Sequence, residues 1–240
     1  MSERKAILVT GSSHGIGAAT VIAFAKDGYD VGINYNKTPE GAQSVAEECR
    51  RYGVDAQIYQ CDVGRRDQCE RMLNAFINHF GRIDVLVNNA GYGSYGAIED
   101  VPLEEGRRQF EVNLFGMARL IRLVTPAMRE QHYEKIVNIS SMGGNIWTKF
   151  GGWYHATKYA VEGLSDCLRM ELQPFGIDVV VVEPGGIKSD WGLITAENLK
   201  KTSTNGAYAE MANKAADGMI KNYSGDLLSK PALIAKTVRK

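Results

Sequence analysis

The stretch "KAILVTGSSHGIGAATVIAFAKDG" (residues 5–28) combines an apolar run, a glycine-rich turn and a helical pattern. The run "KAILVT" predicts a buried first strand, and "GIGAATVIAFAKDG" predicts a helix that ends at Gly28. Between them lie Gly11, Gly15 and Gly17, with the spacing GxxxGxG instead of GxGxxG. Glycines allow the backbone to approach a pyrophosphate at the positive end of the following helix. A tight bend without a ligand is the alternative, but the position directly after a buried strand favours a dinucleotide turn.

The rest of the chain continues the alternation of apolar runs and helical patterns that is typical of a parallel sheet covered by helices. We therefore predict one doubly wound α/β domain of the Rossmann type, with ligands at the carboxyl ends of the strands. A long helix is predicted over roughly Leu103 to Gln131, with Pro126 bending or interrupting it. Strands two to six are predicted at "YDVGINY", "DAQIYQCDV", "RIDVLVNNAG", "EKIVNISS" and "GIDVVVVEPGG".

Composition restricts the class of protein further. With 240 residues, 44% of them hydrophobic and 23% charged, the sequence predicts a soluble globular protein with a single domain over residues 1–240. The 28 basic and 28 acidic residues balance, which argues against nucleic-acid or membrane partners. The apolar run at the N-terminus is too short for a signal peptide, so a cytoplasmic location is expected. The four cysteines form no CxxC pair, which predicts reduced structural thiols and no metal site.

The segment "GGWYHATKYAVEG" (residues 151–163) places Tyr154 and Lys158 four residues apart, on one face of a predicted helix. An ammonium beside a phenol favours phenolate, which lowers the phenol pKa from about 10 toward the range useful for proton transfer. A half-buried stripe with a solvated lysine is the alternative. Ser141 precedes Tyr154 at the end of the fifth strand, a coincidence that the stripe does not explain.

Six motifs in this order resemble the short-chain dehydrogenase/reductase family over almost the whole chain. They are "TGSSHGIG", "NNAG" at 88–91, Asn113 in "VNLFG", Ser141 in "NISS", "YHATK" at 154–158 and "PGG" at 184–186. The resemblance implies an NAD(P)-dependent oxidoreductase that interconverts a carbonyl and a secondary alcohol. It also implies a homo-oligomer, either a dimer or a tetramer.

The resemblance assigns catalytic roles to four residues. Tyr154 is expected to exchange the proton with the substrate oxygen, and Lys158 to tune Tyr154 and hold the nicotinamide ribose. Ser141 is expected to donate a hydrogen bond to the developing alkoxide. Asn113 is expected to hold a water that links Lys158 to solvent, through its side chain or through a local distortion of the main chain.

The resemblance also implies a set of cofactor-binding residues. Asp62 is expected to accept from the adenine amine, although a helix N-cap is a competing role. The second strand ends in "NYNKT" without a carboxylate that would repel a 2′-phosphate, so we predict NADP, with NAD as a possible cofactor. The expected set is Gly11, Ser13, His14, Gly15, Ile16, Gly17, Asn36, Lys37, Asp62, Val63, Asn89, Ala90, Gly91, Tyr154, Lys158, Pro184, Gly185, Ile187 and Ser189.

Large aromatic residues cluster near the predicted strand ends and suggest a broad apolar pocket for a small-molecule substrate. Packing is the alternative for each of them. The mixed resemblance to steroid, retinoid, ketoacyl and sugar branches leaves the substrate open between a steroid-like compound, a ketoacyl compound and an aryl ketone. The predicted substrate residues are Ser141, Tyr154, Tyr95, Trp147 and Trp191, and further aromatic candidates are Tyr92, Phe150 and Trp153.

The C-terminal part departs from the family pattern. Residues of about 188–226 are expected to form a variable segment that covers the substrate. The sequence ends in "KPALIAKTVRK", which resembles the start of the family's later helix, so that either a tail with the last family strand is missing from the sequence or that strand is absent. A non-catalytic regulator or scaffold that binds a nicotinamide nucleotide is the alternative function, but such a protein would be expected to lack one of the four catalytic groups.

Overall fold

Residues 4–132, 134–225 and 227–239 are described by a computed structural model of the chain. Their strands form one parallel sheet in the order β3-β2-β1-β4-β5-β6. This order confirms the doubly wound α/β prediction. The strands are β1 (Ala6–Val9), β2 (Asp30–Tyr35), β3 (Ala56–Gln60), β4 (Val85–Asn88), β5 (Lys135–Ile139) and β6 (Asp178–Val182).

Helices cover both faces of the sheet. Alternate residues of β1 point to opposite faces, so that Val9 packs toward α1 and Leu8 packs toward α3 and α5. Each face is buried, which explains why the strands are apolar without alternation. The helices are α1 (Gly15–Lys26), α2 (Glu40–Arg50), α3 (Arg66–Phe80), α4 (Leu103–Phe110), α5 (Gly116–Gln131), α6 (Gly152–Leu172), α7 (Trp191–Ser203), α8 (Ala209–Tyr223) and α9 (Pro231–Val238).

The predicted long helix is interrupted at a different place from the one expected. Pro126 lies inside α5 without ending it, so the interruption predicted there is wrong. Regular α-helical hydrogen bonding changes instead at a π-helical turn, Glu111–Phe115, between α4 and α5. Such turns often occur at functional sites, and no apolar periodicity reveals them in a sequence.

Helices α7 and α8 form a hairpin, which we call the lid, inside the segment predicted to cover the substrate. The end of that segment, Asp226, lies outside the described residues. The buried side chains of the lid, such as Leu199 and Ala216, form a third apolar cluster with Tyr95 and Tyr154. The small separate core thus brings the lid against the helix that carries Tyr154.

The C-terminal helix α9 confirms the helix predicted there, and it packs on α1. The described part of the chain contains no seventh strand in this sheet. Within the same residues, no helix is long and apolar enough to cross a membrane, and no cluster of three potential metal ligands occurs. The thiols are free, with Cys49, Cys61 and Cys69 buried and Cys167 exposed.

Candidate active site

The turn between β1 and α1 requires its glycines. Gly11 and Gly15 have φ angles of +59° and +60°, which L side chains rarely adopt. A Cβ atom on Gly17 would lie 2.5 Å from the Gly11 carbonyl oxygen and 2.7 Å from Asn89 Nδ2. Gly17 therefore allows the start of α1 to pack closely against the turn and Asn89, while the space beside Gly15 is open. Backbone N–H groups at the N-terminus of a helix are suited to bind a pyrophosphate.

Asn34 holds this turn in place, a role that the sequence analysis did not assign. Its side chain is buried in β2, where Oδ1 accepts a hydrogen bond from Gly11 N at 2.9 Å. Its Nδ2 donates to the carbonyl oxygen of Cys61 at 3.0 Å. Asn34 thus connects the glycine turn to the end of β3. A polar residue inside an otherwise apolar strand was the available signal.

A cleft of about 710 Å³ runs along the carboxyl ends of the strands and brings most of the predicted cofactor residues together. Two predicted residues do not line it. Ser13 turns its hydroxyl to His14 Nδ1 at 3.0 Å, and Gly17 acts through the shape of the turn. The predicted cofactor residues that line the cleft are Gly11, His14, Gly15, Ile16, Asn36, Lys37, Asp62, Val63, Asn89, Ala90, Gly91, Tyr154, Lys158, Pro184, Gly185, Ile187 and Ser189.

Asp62 has a charged partner that the sequence analysis missed. Its Oδ2 accepts from Arg108 Nη2 at 2.6 Å, and its Oδ1 accepts from Gly64 N at 2.9 Å. The N-cap residue of α3 is Arg65, so the alternative role of Asp62 as that N-cap is wrong. Arg108 belongs to α4, and its approach to Asp62 depends on how α4 packs, which no local sequence pattern gives.

Ser141, Tyr154 and Lys158 line the same cleft. Tyr154 and Lys158 lie on α6, and both are buried. The hydroxyl of Ser141, two residues after the end of β5, is hydrogen-bonded to Tyr154 and accepts from Gly143 N at 3.0 Å. Lys158 Nζ donates to the carbonyl oxygen of Ile139 at 2.8 Å. A phenol, a hydroxyl and an amine therefore face one space that is shielded from water.

Burial controls the acidity of the two α6 groups. It raises the pKa of Tyr154 to about 12, although the hydrogen bond from Ser141 opposes the shift. It lowers the pKa of Lys158 to about 8, although the Glu162 carboxylate opposes that shift. The expected lowering of the phenol pKa by Lys158 is not seen in this structure: burial raises the pKa of Tyr154, and Lys158 is not among the groups that shift it. Tyr154 therefore stays protonated near neutral pH, as a proton donor must be.

Asn113 is buried in the π-helical turn, close to Lys158 but not in the wall of the cleft. Its Oδ1 accepts from Tyr92 N at 3.0 Å, while its Nδ2 donates to Tyr92 O at 2.9 Å and to Thr157 Oγ1 at 3.1 Å. The side chain is committed to these partners. Of the two alternatives for holding a water, the geometry favours the distorted main chain over the side chain.

The substrate side of the cleft is aromatic. Trp191, at the start of the lid, has its ring centroid 5.2 Å from that of Tyr154 and 6.1 Å from that of Tyr223. Tyr223, Ile194 and Thr195 also line this part of the cleft and were missed by the sequence analysis. They lie in the variable segment, where only the fold shows which residues face inward.

Four aromatic candidates do not line the cleft. Tyr95 is buried behind Tyr154 and Trp191 and supports both rings. Trp147, expected to contact substrate, is 77% exposed and does not line the cleft. Trp153 packs instead against Phe110 of α4. Phe150, the fourth, contacts Tyr208. Of the aromatic candidates other than Trp191, Tyr92 lines the cleft. An aromatic composition therefore does not by itself identify a pocket wall.

Comparisons with known proteins agree with this geometry. The model of the short chain dehydrogenase family matches residues 5–199. A probable short-chain type dehydrogenase/reductase, VdlC, of Helicobacter pylori is 35% identical over 235 residues, which is 96% of this chain and 80% of that protein. The 3-oxoacyl-[acyl-carrier-protein] reductase FabG of Staphylococcus aureus is 36% identical over 201 residues, 84% of this chain and 82% of that protein. A structure of NAD⁺-bound xylitol dehydrogenase superposes with a TM-score of 0.83 at 26% identity, covering 100% of this chain and 92% of that one.

The Rossmann fold and its glycine turn define a nucleotide-binding oxidoreductase. The chain belongs to the short-chain dehydrogenase/reductase family. Within that family it is an NAD(P)-dependent enzyme that acts on CH–OH or ketone groups.

Proposed function

We propose that the protein reduces the ketone of a bulky, hydrophobic substrate with NADPH and catalyses the reverse oxidation of the secondary alcohol. The observation that carries the proposal is the buried contact of Ser141 with the protonated Tyr154, beside Trp191 and at one end of the dinucleotide cleft. A steroid-like compound, a ketoacyl compound and an aryl ketone are the substrate classes to be compared.

The chain's own residues account for the proton side of the reaction. In ketone reduction, Tyr154 donates its phenolic proton to the carbonyl oxygen, while Ser141 donates a hydrogen bond to the same oxygen. The nicotinamide, when bound, supplies the hydride in reduction and accepts it in oxidation. Lys158 and the main chain of the π-helical turn at Asn113 then return a proton from solvent to Tyr154. In alcohol oxidation the same groups carry the proton in the opposite direction.

An activity screen tests this proposal. NADPH and NADH oxidation would be measured against ketosteroids, ketoacyl thioesters, sugars and small aryl ketones. We expect turnover with NADPH and a hydrophobic ketone. Absence of turnover with the whole panel, together with tight binding of NADPH, would support the alternative of a non-catalytic regulator. The homo-oligomer and the cytoplasmic location stay predictions.

The end of β2 supports the preference for NADP. His14, Asn36 and Lys37 line the cleft there. Residues 34–38, at the end of β2, contain no carboxylate. We expect Asn36→Asp to lower kcat/KM for NADPH by about tenfold or more, because one like-charge contact costs about 1.4 kcal/mol or more near a surface. The value for NADH should change little. Steady-state kinetics with both cofactors measure the ratio of kcat/KM for NADPH to kcat/KM for NADH.

Asn74→Asp is the matched control for this substitution. Asn74 is exposed on α3 and does not line the cleft, so it adds the same charge without facing the cofactor. The ratio of kcat/KM for NADPH to that for NADH should be the same in Asn74→Asp as in the wild type. Equal wild-type rates with NADPH and NADH would overturn the preference for NADP.

The aromatic wall of the lid supports a hydrophobic substrate. We expect Trp191→Ala to lower kcat/KM for a ring ketone by about tenfold to a hundredfold, which corresponds to the loss of one large buried side chain. A small aliphatic ketone should lose much less, because it covers less of the ring. Trp147→Ala removes an exposed indole and should leave both values unchanged. Equal losses for large and small ketones would contradict a substrate contact at Trp191.

A further inference from the structure

The imidazole of His155 lies at the centre of the loop that joins Ser141 to α6, residues 142–151. His155 is buried, and both of its ring nitrogens are bonded to this loop. Nδ1 lies 2.9 Å from the carbonyl oxygen of Gly143. Nε2 lies 3.0 Å from both the backbone nitrogen and the hydroxyl of Thr148. One side chain of α6 thus holds both halves of the loop.

The partners fix the protonation of the ring. The carbonyl of Gly143 can only accept, so Nδ1 carries the hydrogen and donates it. The backbone N–H of Thr148 can only donate, so Nε2 accepts. This arrangement requires the neutral ring with its hydrogen on Nδ1.

Two glycines make room for the ring. A Cβ atom on Gly151 would lie 2.7 Å from His155 Cδ2 and Nε2, and one on Gly143 would lie 3.1 Å from Nδ1. A side chain at Gly151 would therefore displace the imidazole, and one at Gly143 would require the ring to shift by a few tenths of an ångström. The two glycines thus allow the loop to pack closely around the ring.

Gly143 connects the His155 ring to the hydroxyl of Ser141 through two hydrogen bonds. The same residue whose carbonyl accepts from His155 donates its N–H to Ser141 Oγ at 3.0 Å. Ser141 Oγ is thereby held as an acceptor from the loop. Its own hydrogen, which is shared with Tyr154 in this structure, is the one available to an oxygen bound in the cleft. Because His155 follows Tyr154 in α6, the position of Ser141 is tied to the helix that carries the phenol.

We infer that His155 is a positioning residue, which sets Ser141 relative to Tyr154 by holding Gly143 and Thr148 around a neutral imidazole. The inference rests on the proposed function, because it concerns the alignment of the two groups that act on the substrate oxygen. A misplacement of about 1 Å at such a group can cost about a hundredfold in rate.

Three substitutions separate the two hydrogen bonds. His155→Asn can still donate to Gly143, His155→Gln can still accept from Thr148, and His155→Leu can do neither. We expect His155→Leu to lower kcat by about tenfold to a hundredfold, with less than about a twofold change in the Kd for NADPH. His155→Asn should recover more of kcat than His155→Gln, because Gly143 is the residue bonded to Ser141.

A double-mutant cycle tests whether His155 acts through Ser141. In a Ser141→Ala background, His155→Leu should cause little further loss, since the hydroxyl it positions is already absent. Fully additive losses would overturn the inference, and so would three His155 variants with wild-type kcat. His79→Gln is the matched control, because His79 is half-exposed on α3 and pairs with Asp55 away from the cleft. It should leave kcat unchanged.

A spectroscopic measurement keeps the inference testable even if a variant fails to fold. In ¹⁵N-histidine NMR of the wild-type protein, His155 should show the Nδ1–H form, and an Nε2–H form would overturn the assigned contacts. This result is independent of turnover. A wild-type protein without activity on the whole ketone panel would defeat the proposed function, whereas active variants and an Nε2–H ring would defeat only the role of His155.

Discussion

Replacement of Tyr154 by Phe is expected to lower kcat by about 10²- to 10⁴-fold, the usual contribution of a positioned general acid. The phenol is buried, hydrogen-bonded to Ser141 and protonated near neutral pH, since burial raises the pKa of Tyr154 to about 12. The substitution removes the transferable proton and keeps the ring that contacts Trp191. Binding of NADPH, measured by fluorescence titration, should therefore persist while steady-state turnover is lost.

Tyr159→Phe provides the matched control on the same helix. Tyr159 is 44% exposed, so its hydroxyl faces away from the cleft and its removal should leave kcat unchanged. Near-normal turnover by the Tyr154→Phe variant would contradict the proposed proton donor. Loss of turnover together with loss of NADPH binding would point to a damaged cleft instead of a missing acid.

Lys158→Met is expected to have opposite effects on activity and stability. Burial lowers the pKa of Lys158 from 10.5 to about 8, so the folded protein holds the charged amine at a cost. Each pKa unit corresponds to about 1.4 kcal/mol, so the free-energy cost of burying the charged amine is at most about 3 kcal/mol. Loss of the hydrogen bond to the Ile139 carbonyl reduces the gain from removing this charge by about 1 kcal/mol. We expect the free energy of unfolding of Lys158→Met at pH 7 to exceed that of wild type by up to about 2 kcal/mol. The variant should also lose at least a hundredfold in kcat.

The pH dependence gives the sign of this effect. The folded pKa of Lys158 lies below its value in the unfolded chain, so unfolding takes up a proton between about pH 8 and 10.5. The penalty is therefore fully present below pH 8 and disappears as the pH rises through this range. Other buried groups, such as Cys49, whose pKa burial raises, lose stability as the pH rises, so the effect of Lys158 is measured as a difference between two proteins. By denaturant unfolding, the extra stability of Lys158→Met over wild type should be present at pH 7 and should shrink at pH 10. Lys214→Met, an exposed substitution on α8, should show no such pH-dependent difference from wild type. A destabilised Lys158→Met variant at pH 7 would contradict the explanation.

The fold could be predicted from the sequence because its signals are local, and the same kind of signal predicted that Ser141, Tyr154 and Lys158 lie at one cleft. Their catalytic roles come from the family resemblance and stay predictions. Apolar runs between helical patterns predicted the succession of strands along the chain. The four-residue spacing placed Tyr154 and Lys158 on one helix face. Ser141 follows a strand whose end is visible in the sequence. These features depend on periodicity and on positions at the ends of elements, which do not require knowledge of tertiary contacts.

The remaining features depend on packing between distant elements. Trp147 and Trp191 look equally suited to a substrate, yet only Trp191 lies on the face of the lid that meets Tyr154. Arg108 and Asp62 are 46 residues apart in sequence, and only the placement of α4 in the folded chain brings them together. The pKa of Tyr154 follows burial, which its spacing from Lys158 does not reveal. Such contacts arise from non-local geometry, so composition and spacing could not give them.

The lid also bears on how the enzyme can acquire new substrates. Helices α7 and α8 pack on each other more extensively than any other two helices in the described ranges, and they contribute Trp191, Ile194 and Tyr223 to the cleft. The proton-transfer groups belong to earlier parts of the chain. Mutations can therefore accumulate in the hairpin while the chemical machinery is preserved. A library randomised only within residues 191–223 should yield many folded, cofactor-competent variants with altered substrate range, making this hairpin the natural unit for directed evolution.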